Sequence, residues 1–151
     1  MLRSLQTTLI YLFSAISLIA EGRWHASWIG VEADEINQWT CFRKVVTLDA
    51  VPSEAMARIA ADSKYWLWIN GKQVVFEGQL KRGPTPHDTY FDQVDLRPHL
   101  RSGKNTIALL IWYFGKDGFS HKSSGRSGLL FDASIDGEQL LSNRELSLIH
   151  I

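Results

Sequence analysis

The chain has 151 residues, 16 basic and 16 acidic side chains, and a formal net charge of zero. That length suits one domain, the 45% hydrophobic content excludes wholesale disorder, and balanced charge argues against a nucleic-acid binder. A lone cysteine excludes an internal disulfide framework and any Cys-x-x-Cys metal site. Six tryptophans and eleven glycines are the unusual counts, and so short a chain suits a module or a fragment better than a complete enzyme.

Residues 1–22 have the order of a secretory signal. Arg3 supplies a positive start, Leu9 to Ile19 is an uncharged apolar run, and Ala20-Glu21-Gly22 is a small-residue cleavage site. The run is short for a membrane span. A mature chain would then begin near Arg23 and be exported, to the periplasm or outside the cell, with no membrane attachment after cleavage. An uncleaved amphipathic or buried helix is the alternative.

Residues 23–145 carry a strand rhythm. Trp39 to Leu48 alternates apolar and polar positions and is rich in β-branched and aromatic types. Phe42, Val46 and Leu48 share a parity, with Lys44 among them. Ala55 to Ala61 is ambiguous between helix and strand. Tyr65 to Ile69 predicts a strand, and Asn70-Gly71 a type I′ hairpin, because both central positions need positive φ. Gln73 to Glu77 is the return strand. Leu96 to Leu100 predicts a short helical turn. Thr106 to Phe114 is apolar on both faces, as a central strand would be. Leu129 to Ile135 is a further strand, and Asp136-Gly137 begins a second hairpin. Six or more short strands with Gly, Pro and Asn punctuation predict an all-β jelly-roll sandwich. Alternating strand and helix, which doubly wound nucleotide-binding folds need, is not seen.

The last six residues, Leu146 to Ile151 (LSLIHI), match one reading frame of CTGTCTCTTATACACATCT, the transposon end used in DNA-library preparation. They are expected to be adapter-derived, the sandwich continuing past Glu145 in the natural chain. A genuine apolar terminal strand is the alternative.

No hydrolase, zinc-protease or P-loop motif occurs. The histidines are scattered, and no metal site is read from them. Asp88, Asp92 and Asp95 could hold calcium through oxygens, although such residues more often serve turns. In Tyr65 to Ile69, Tyr65, Leu67 and Ile69 point one way and Trp66 and Trp68 the other. If the first set is core, the two indoles stand on the opposite face, for a sugar ring or a neighbouring domain to cover; the alternative is that both faces are internal. The long loop from Phe114 to Gly128 combines glycines with Lys116, Asp117, Phe119, His121, Lys122 and Arg126. Its donors suit polyol hydroxyls or carboxylates, and a merely solvated loop is the alternative.

From residue 26 onward the chain resembles the N-terminal β-sandwich region of bacterial family-78-type α-L-rhamnosidases. The resemblance is carried by Ala26-Ser27-Trp28-Ile29, by Trp39-x-x-Phe42-Arg43-Lys44, and by the stretches 57–78, 80–125 and 128–132. The A-D-S-K-Y-x-L-x-I-N-G-K core is shared by accessory jelly rolls of several glycosidase families. The K-R-G-P and G-K-D-G-F-S-H-K-S-S-G stretches point to the rhamnosidase-like group. The resemblance implies a galactose-binding-like accessory domain, with an inverting catalytic barrel downstream in the parent chain and none of that barrel here. It therefore implies no catalytic residue in this stretch, with the downstream domain and plant or bacterial glycans as partners; beyond the calcium weighed above, no metal or cofactor is expected. A purely structural docking domain, or a stand-alone adhesion module, are the alternatives.

Overall fold

The computed structural model describes residues 24–31, 36–78, 80, 89–143 and 147–150. Along them run β1 (Gln38–Leu48), β2 (Ala55–Asp62), β3 (Lys64–Ile69), β4 (Lys72–Val75), β5 (Asp92–Asp95), β6 (Gly103–Tyr113), β7 (Gly128–Ile135), β8 (Glu138–Leu141) and β9 (Ser147–His150). A 3₁₀ turn at Arg97–His99 fills the expected helical position. One sheet has the order β4-β3-β6-β1-β9 and the other β5-β2-β7-β8, and every pairing is antiparallel. The two sheets form the expected all-β sandwich. The expected export signal lies outside the described residues.

Period-two alternation builds the core. Tyr65, Leu67 and Ile69 turn inward from β3, and Ile107, Leu109 and Ile111 from β6. They meet Ile59 of β2 and Leu129 and Phe131 of β7, while Leu96 and Leu100 close one end. Burying a side chain of this size is worth about 1.5–3 kcal/mol. The ambiguous segment Ala55 to Ala61 is a strand. Alanine favours helix in isolation, but pairing along the whole of β2 with β7 overrides that weak preference. The outer side of β6 is only half-buried, so this strand is less symmetrically covered than its composition predicts.

Both predicted hairpins have the positive φ that their turns require: 53° and 80° at Asn70 and Gly71, 46° and 86° at Asp136 and Gly137. Asn70 also does work beyond its turn. Its amide donates to the His99 carbonyl at 3.0 Å and to Asn105 Oδ1 at 2.9 Å, and its Oδ1 accepts the Thr106 N–H at 3.0 Å. Asn105 is fully buried and donates to the carbonyls of Arg101 at 2.6 Å and Gly103 at 3.0 Å. It accepts the Arg101 N–H at 2.9 Å. The two asparagines thus fasten the hairpin to the 3₁₀ turn and to the start of β6.

On the outer side of the second sheet, Asp132 accepts the His25 N–H at 2.9 Å and the Arg58 guanidinium at 2.7 Å. Arg58 in turn lies 4.7 Å from the Trp24 ring centroid, a cation–π contact. Burial pushes the Asp132 carboxyl up, but the His25 N–H and the Arg58 guanidinium outweigh it and hold the group below the usual carboxylate range.

Residues 147–150 pair with Thr40–Arg43 at the edge of β1. The tail expected to stand outside the fold therefore supplies an edge strand. Such pairing is what an open edge offers to any short apolar segment, whatever its origin.

Two outcomes are expected. Asn105→Ala removes three part-buried hydrogen bonds to the backbone of Arg101 and Gly103, each worth about 0.5–1.5 kcal/mol, and urea unfolding should show a loss of about 2 kcal/mol or more. Asp132 has a depressed carboxyl, so it stabilises the fold above its unfolded value of about 3.9 and loses that contribution as pH falls through its lower folded value. The stability gap between wild type and Asp132→Asn should be full at pH 7 and shrink steadily through the acid range, measured by urea unfolding at each pH.

Candidate functional site

Three features meet at one end and flank of the sandwich. The first is a row of rings on the outer side of the five-stranded sheet. Phe76 meets Trp66 edge-on at 6.4 Å, Trp66 lies 5.4 Å from Trp39, and Trp39 stacks on Trp112 at 4.9 Å with 7° between planes. Phe114 follows edge-on at 4.6 Å from Trp112, and His121 at 5.2 Å from Phe114. The register explains the row: Trp39 and Lys64 flank Trp112, and Trp66 flanks Leu110, all on the same face. Trp112 is further fixed by its indole N–H, which donates to Asn37 Oδ1 at 2.7 Å. Phe76 is 72% exposed and Trp39 36%, so the row is open to solvent at two points.

The second feature is the loop between β6 and β7, anchored on a buried carboxylate. Asp62 Oδ2 accepts the Ser124 N–H and the Ser124 hydroxyl, each at 2.7 Å. Asp62 Oδ1 accepts the Ser63 hydroxyl at 2.7 Å. Ser63 Oγ itself accepts the Phe114 N–H at 3.0 Å and lies 3.2 Å from His121 Nε2. Because Ser63 gives its own proton to Asp62, the network places a proton on His121 Nε2. Aspartate, histidine and serine here resemble a hydrolase triad in composition only. In a triad the imidazole uses one nitrogen for the nucleophile and the other for the acid. Here the same Nε2 faces both Ser63 and, at 3.5 Å, Asp62, and all three residues are buried. The cluster is a clasp. At its rim, Asp117 pairs with Lys122 at 2.7 Å and accepts the Ser123 N–H at 3.0 Å. The Lys122 contact, with the Ser123 N–H, lowers the Asp117 carboxyl from its ordinary value.

The third feature is a groove of about 640 Å³ on the flank where β4 and β5, the edge strands of the two sheets, end the sandwich. Lys64, Glu77, Asp92, Gln93 and Ser120 give it polar walls. Val75, Leu80 and Val94 give it an apolar one. Tyr65 donates to Asp92 at 2.7 Å and so ties the two sheets together beneath it. Burial, then the Asp92 hydrogen bond and charge, push the Tyr65 phenol far above its ordinary value. Gly78 closes this wall. Its N–H donates to the Tyr65 carbonyl at 2.7 Å, and a Cβ there would lie 2.1 Å from the Tyr65 ring.

Among solved structures, a GH78 family rhamnosidase from Bacillus sp. GL1 matches with a TM-score of 0.73 and 36% identity, over 85% of this chain and 14% of that one. The chain resembles one segment of GH78 rhamnosidases. The α-L-rhamnosidase from Dictyoglumus thermophilum matches with a TM-score of 0.66 and 20% identity, over 86% of this chain and 17% of the other. The apo Pleurotus ostreatus lectin matches with a TM-score of 0.57 and 20% identity, over 83% of this chain and 35% of that one. These last two are likenesses of fold, and the lectin supports the jelly-roll form. This GH78-like sandwich spans less than a fifth of either of these rhamnosidases. No family model matches the chain, and no curated protein does.

In the GH78-like sandwich the residues singled out from sequence fall into three groups. Phe119 is fully exposed, and Lys116, Asp117, Lys122 and Arg126 are exposed around it on the loop. Trp68 is half-buried on the outer sheet face. Trp66 retains only 9% exposure beneath Trp39 and Phe76, and His121 faces inward to Ser63. Trp39, Phe76 and Trp112 complete the ring row, and sequence reasoning passed over them. The outward parity of Trp39 in β1 and Trp112 in β6 was the available signal. Of the three aspartates considered for calcium, Asp88 lies outside the described residues, Asp92 accepts from Tyr65, and Asp95 accepts the Arg97 N–H at 3.0 Å. Among the described residues no group of three or more metal-ligating side chains converges.

Loss of the clasp should free the loop. A hydrogen bond to a charged group is worth about 1.5–3 kcal/mol, so Ser124→Ala should raise the rate of tryptic cleavage at Lys122 or Arg126 by about tenfold or more, read by mass spectrometry under native conditions. An unchanged cleavage rate would show that the clasp does not hold the loop.

Proposed function

We propose that this sandwich is a non-catalytic accessory domain of an exported α-L-rhamnosidase-like glycoside hydrolase, and that it contacts carbohydrate. The supporting observation is the ring row, open at Trp39 and Phe76 and running up to a loop that presents Phe119 beside Lys116, Lys122 and Arg126. Flat indole and phenyl faces suit the C–H face of a sugar, and the cationic donors suit its hydroxyls. Hydrolysis of the rhamnosidic bond would belong to a barrel elsewhere in the parent chain, where a carboxylic acid and a carboxylate flank the bond with space for water. Export rests on residues 1–22, and no cofactor is invoked.

A second reading is favoured by the small share of the rhamnosidases that this chain spans. On that reading the open rings at Trp39 and Phe76 are a docking face for the rest of the parent enzyme, and the domain is structural.

Titration of the 151-residue chain with plant glycans, rhamnosides and galactosides separates the two. Carbohydrate contact predicts weak binding that drops about tenfold in Trp39→Ala, the scale of one lost aromatic contact of about 1–2 kcal/mol. Clean absence of binding, with solubility improved by Trp39→Ser and Phe76→Ser, supports docking instead. Hydrolysis of a rhamnoside by the purified chain would overturn the non-catalytic assignment.

A further inference from the structure

We infer that Asn70 is a self-modification site. When the β3–β4 hairpin opens, the Gly71 nitrogen converts the Asn70 side-chain amide to aspartate and isoaspartate, and the product cannot refasten the hairpin. The chain has four asparagines, at 37, 70, 105 and 143, and only Asn70 precedes a glycine. That neighbour matters because glycine has no side chain to shield its nitrogen or to restrict the rotation that brings it onto the amide. The reaction needs no co-reactant but water. The Gly71 nitrogen, losing its proton, bonds to Asn70 Cγ, the Cγ–Nδ2 bond breaks, and Nδ2 leaves as ammonia. Water then opens the five-membered imide at either carbonyl, to give aspartate or isoaspartate. One water is consumed and one ammonia released.

In the closed hairpin every group that must move is held. The Asn70 N–H donates to the Thr106 carbonyl at 2.8 Å. Nδ2, the leaving nitrogen, donates to the His99 carbonyl at 3.0 Å and to Asn105 Oδ1 at 2.9 Å, and Oδ1 accepts the Thr106 N–H at 3.0 Å. The backbone is fixed too, with Asn70 and Gly71 both in the left-handed region that a type I′ turn requires. Reaction therefore waits for local opening, and its rate is the intrinsic rate scaled by the open fraction.

The same contacts make the change one-way. The amide meets two acceptors, and a carboxylate has no proton to give them. Asn105 cannot turn its own amide round to help, because its Nδ2 already donates to the Arg101 and Gly103 carbonyls and its Oδ1 accepts the Arg101 N–H. Isoaspartate carries the main chain through the side-chain carbon, which lengthens the two-residue turn that sets the register of β3 on β4. The hairpin lies at the opposite end of β6 from the β6–β7 loop, since Ile69 pairs with Ile107 and Lys64 with Trp112. The modification thus loosens one end of the sandwich and leaves the ring row and the clasp in place.

The test is incubation of the 151-residue chain in mildly alkaline buffer, folded and in urea, followed by peptide mass spectrometry at Asn70. Aspartate and isoaspartate should both form, at least about tenfold faster in the unfolded chain, as an opening cost of about 1.4 kcal/mol or more requires. Asn105→Ala removes one partner of Nδ2 and should speed the folded-state reaction about fivefold, the worth of one net hydrogen bond of about 1 kcal/mol. Asp132→Asn, which weakens the other sheet, should leave that rate unchanged. The wild type gives an independent reading. Below the unfolding transition its rate should depend only weakly on urea, because a local opening exposes little surface. A urea dependence as steep as that of global unfolding, or an equal acceleration by both substitutions, would overturn gating by the hairpin contacts. Equal rates in the folded and unfolded chains would do the same. Aspartate without isoaspartate would overturn the imide route, and no conversion in urea would overturn the site. A converted chain that unfolds at the same urea concentration as the unconverted one would overturn the one-way loosening.

Discussion

A single residue, Ser63, separates a strand of one sheet from a strand of the other. The chain leaves β2 at Asp62 and enters β3 at Lys64, so the crossing is made in the interior, where polar groups cannot be left to water. Every partner must come from the protein. The loop after β6 brings the Ser124 N–H and hydroxyl to Asp62, the end of β6 brings the Phe114 N–H to Ser63, and His121 adds its imidazole. The loop is therefore as much a structural part of the sheet crossing as it is an exposed surface. Its glycines and exposed cations suggest mobility, but its two ends and its middle answer to a buried carboxylate.

That clasp organises both surfaces. By holding Phe114 and His121 at the end of the ring row, it sets where the aromatic face of the outer sheet stops. By fixing the loop, it delivers Ser120 to the flank groove beside Lys64, the first residue after the crossing. The groove's opposite wall depends on Tyr65, which is core by its ring and polar by its hydroxyl. One side chain thus joins the packing of the interior to the placement of Asp92 at the surface.

Much of this was legible in the residues. Alternation in Trp39 to Leu48 and Tyr65 to Ile69, and the Asn-Gly and Asp-Gly pairs, are local signals, and the strands and turns sit where those signals placed them. What escaped was long-range. Ser124 is 62 positions from Asp62, and Asn70 is 35 from Asn105, so neither pair has a spacing to read. β5 escaped because Asp-Gln-Val-Asp has poor strand propensity and is a strand only by pairing with β2. His121 was grouped with the exposed cations of its loop because nothing local distinguishes an inward histidine from an outward one. Alternation puts Trp66 on the outer side of its strand once Tyr65, Leu67 and Ile69 are core, but its cover by Trp39 comes across β6, from a residue 27 positions earlier.

Lys44 had no evident reason to share the parity of Phe42 and Val46. The sheet order supplies one. β1 is paired along its whole length with β6, but on its other side only Thr40–Arg43 meet β9, so among the described residues the stretch from Lys44 to Leu48 is open. A strand from another molecule could add there and extend the sheet without limit. Inward-pointing charges are a recurrent device on edge strands, where they make the addition of a further strand costly. The residue that most disturbs the hydrophobic pattern of β1 thus stands where such a device is placed.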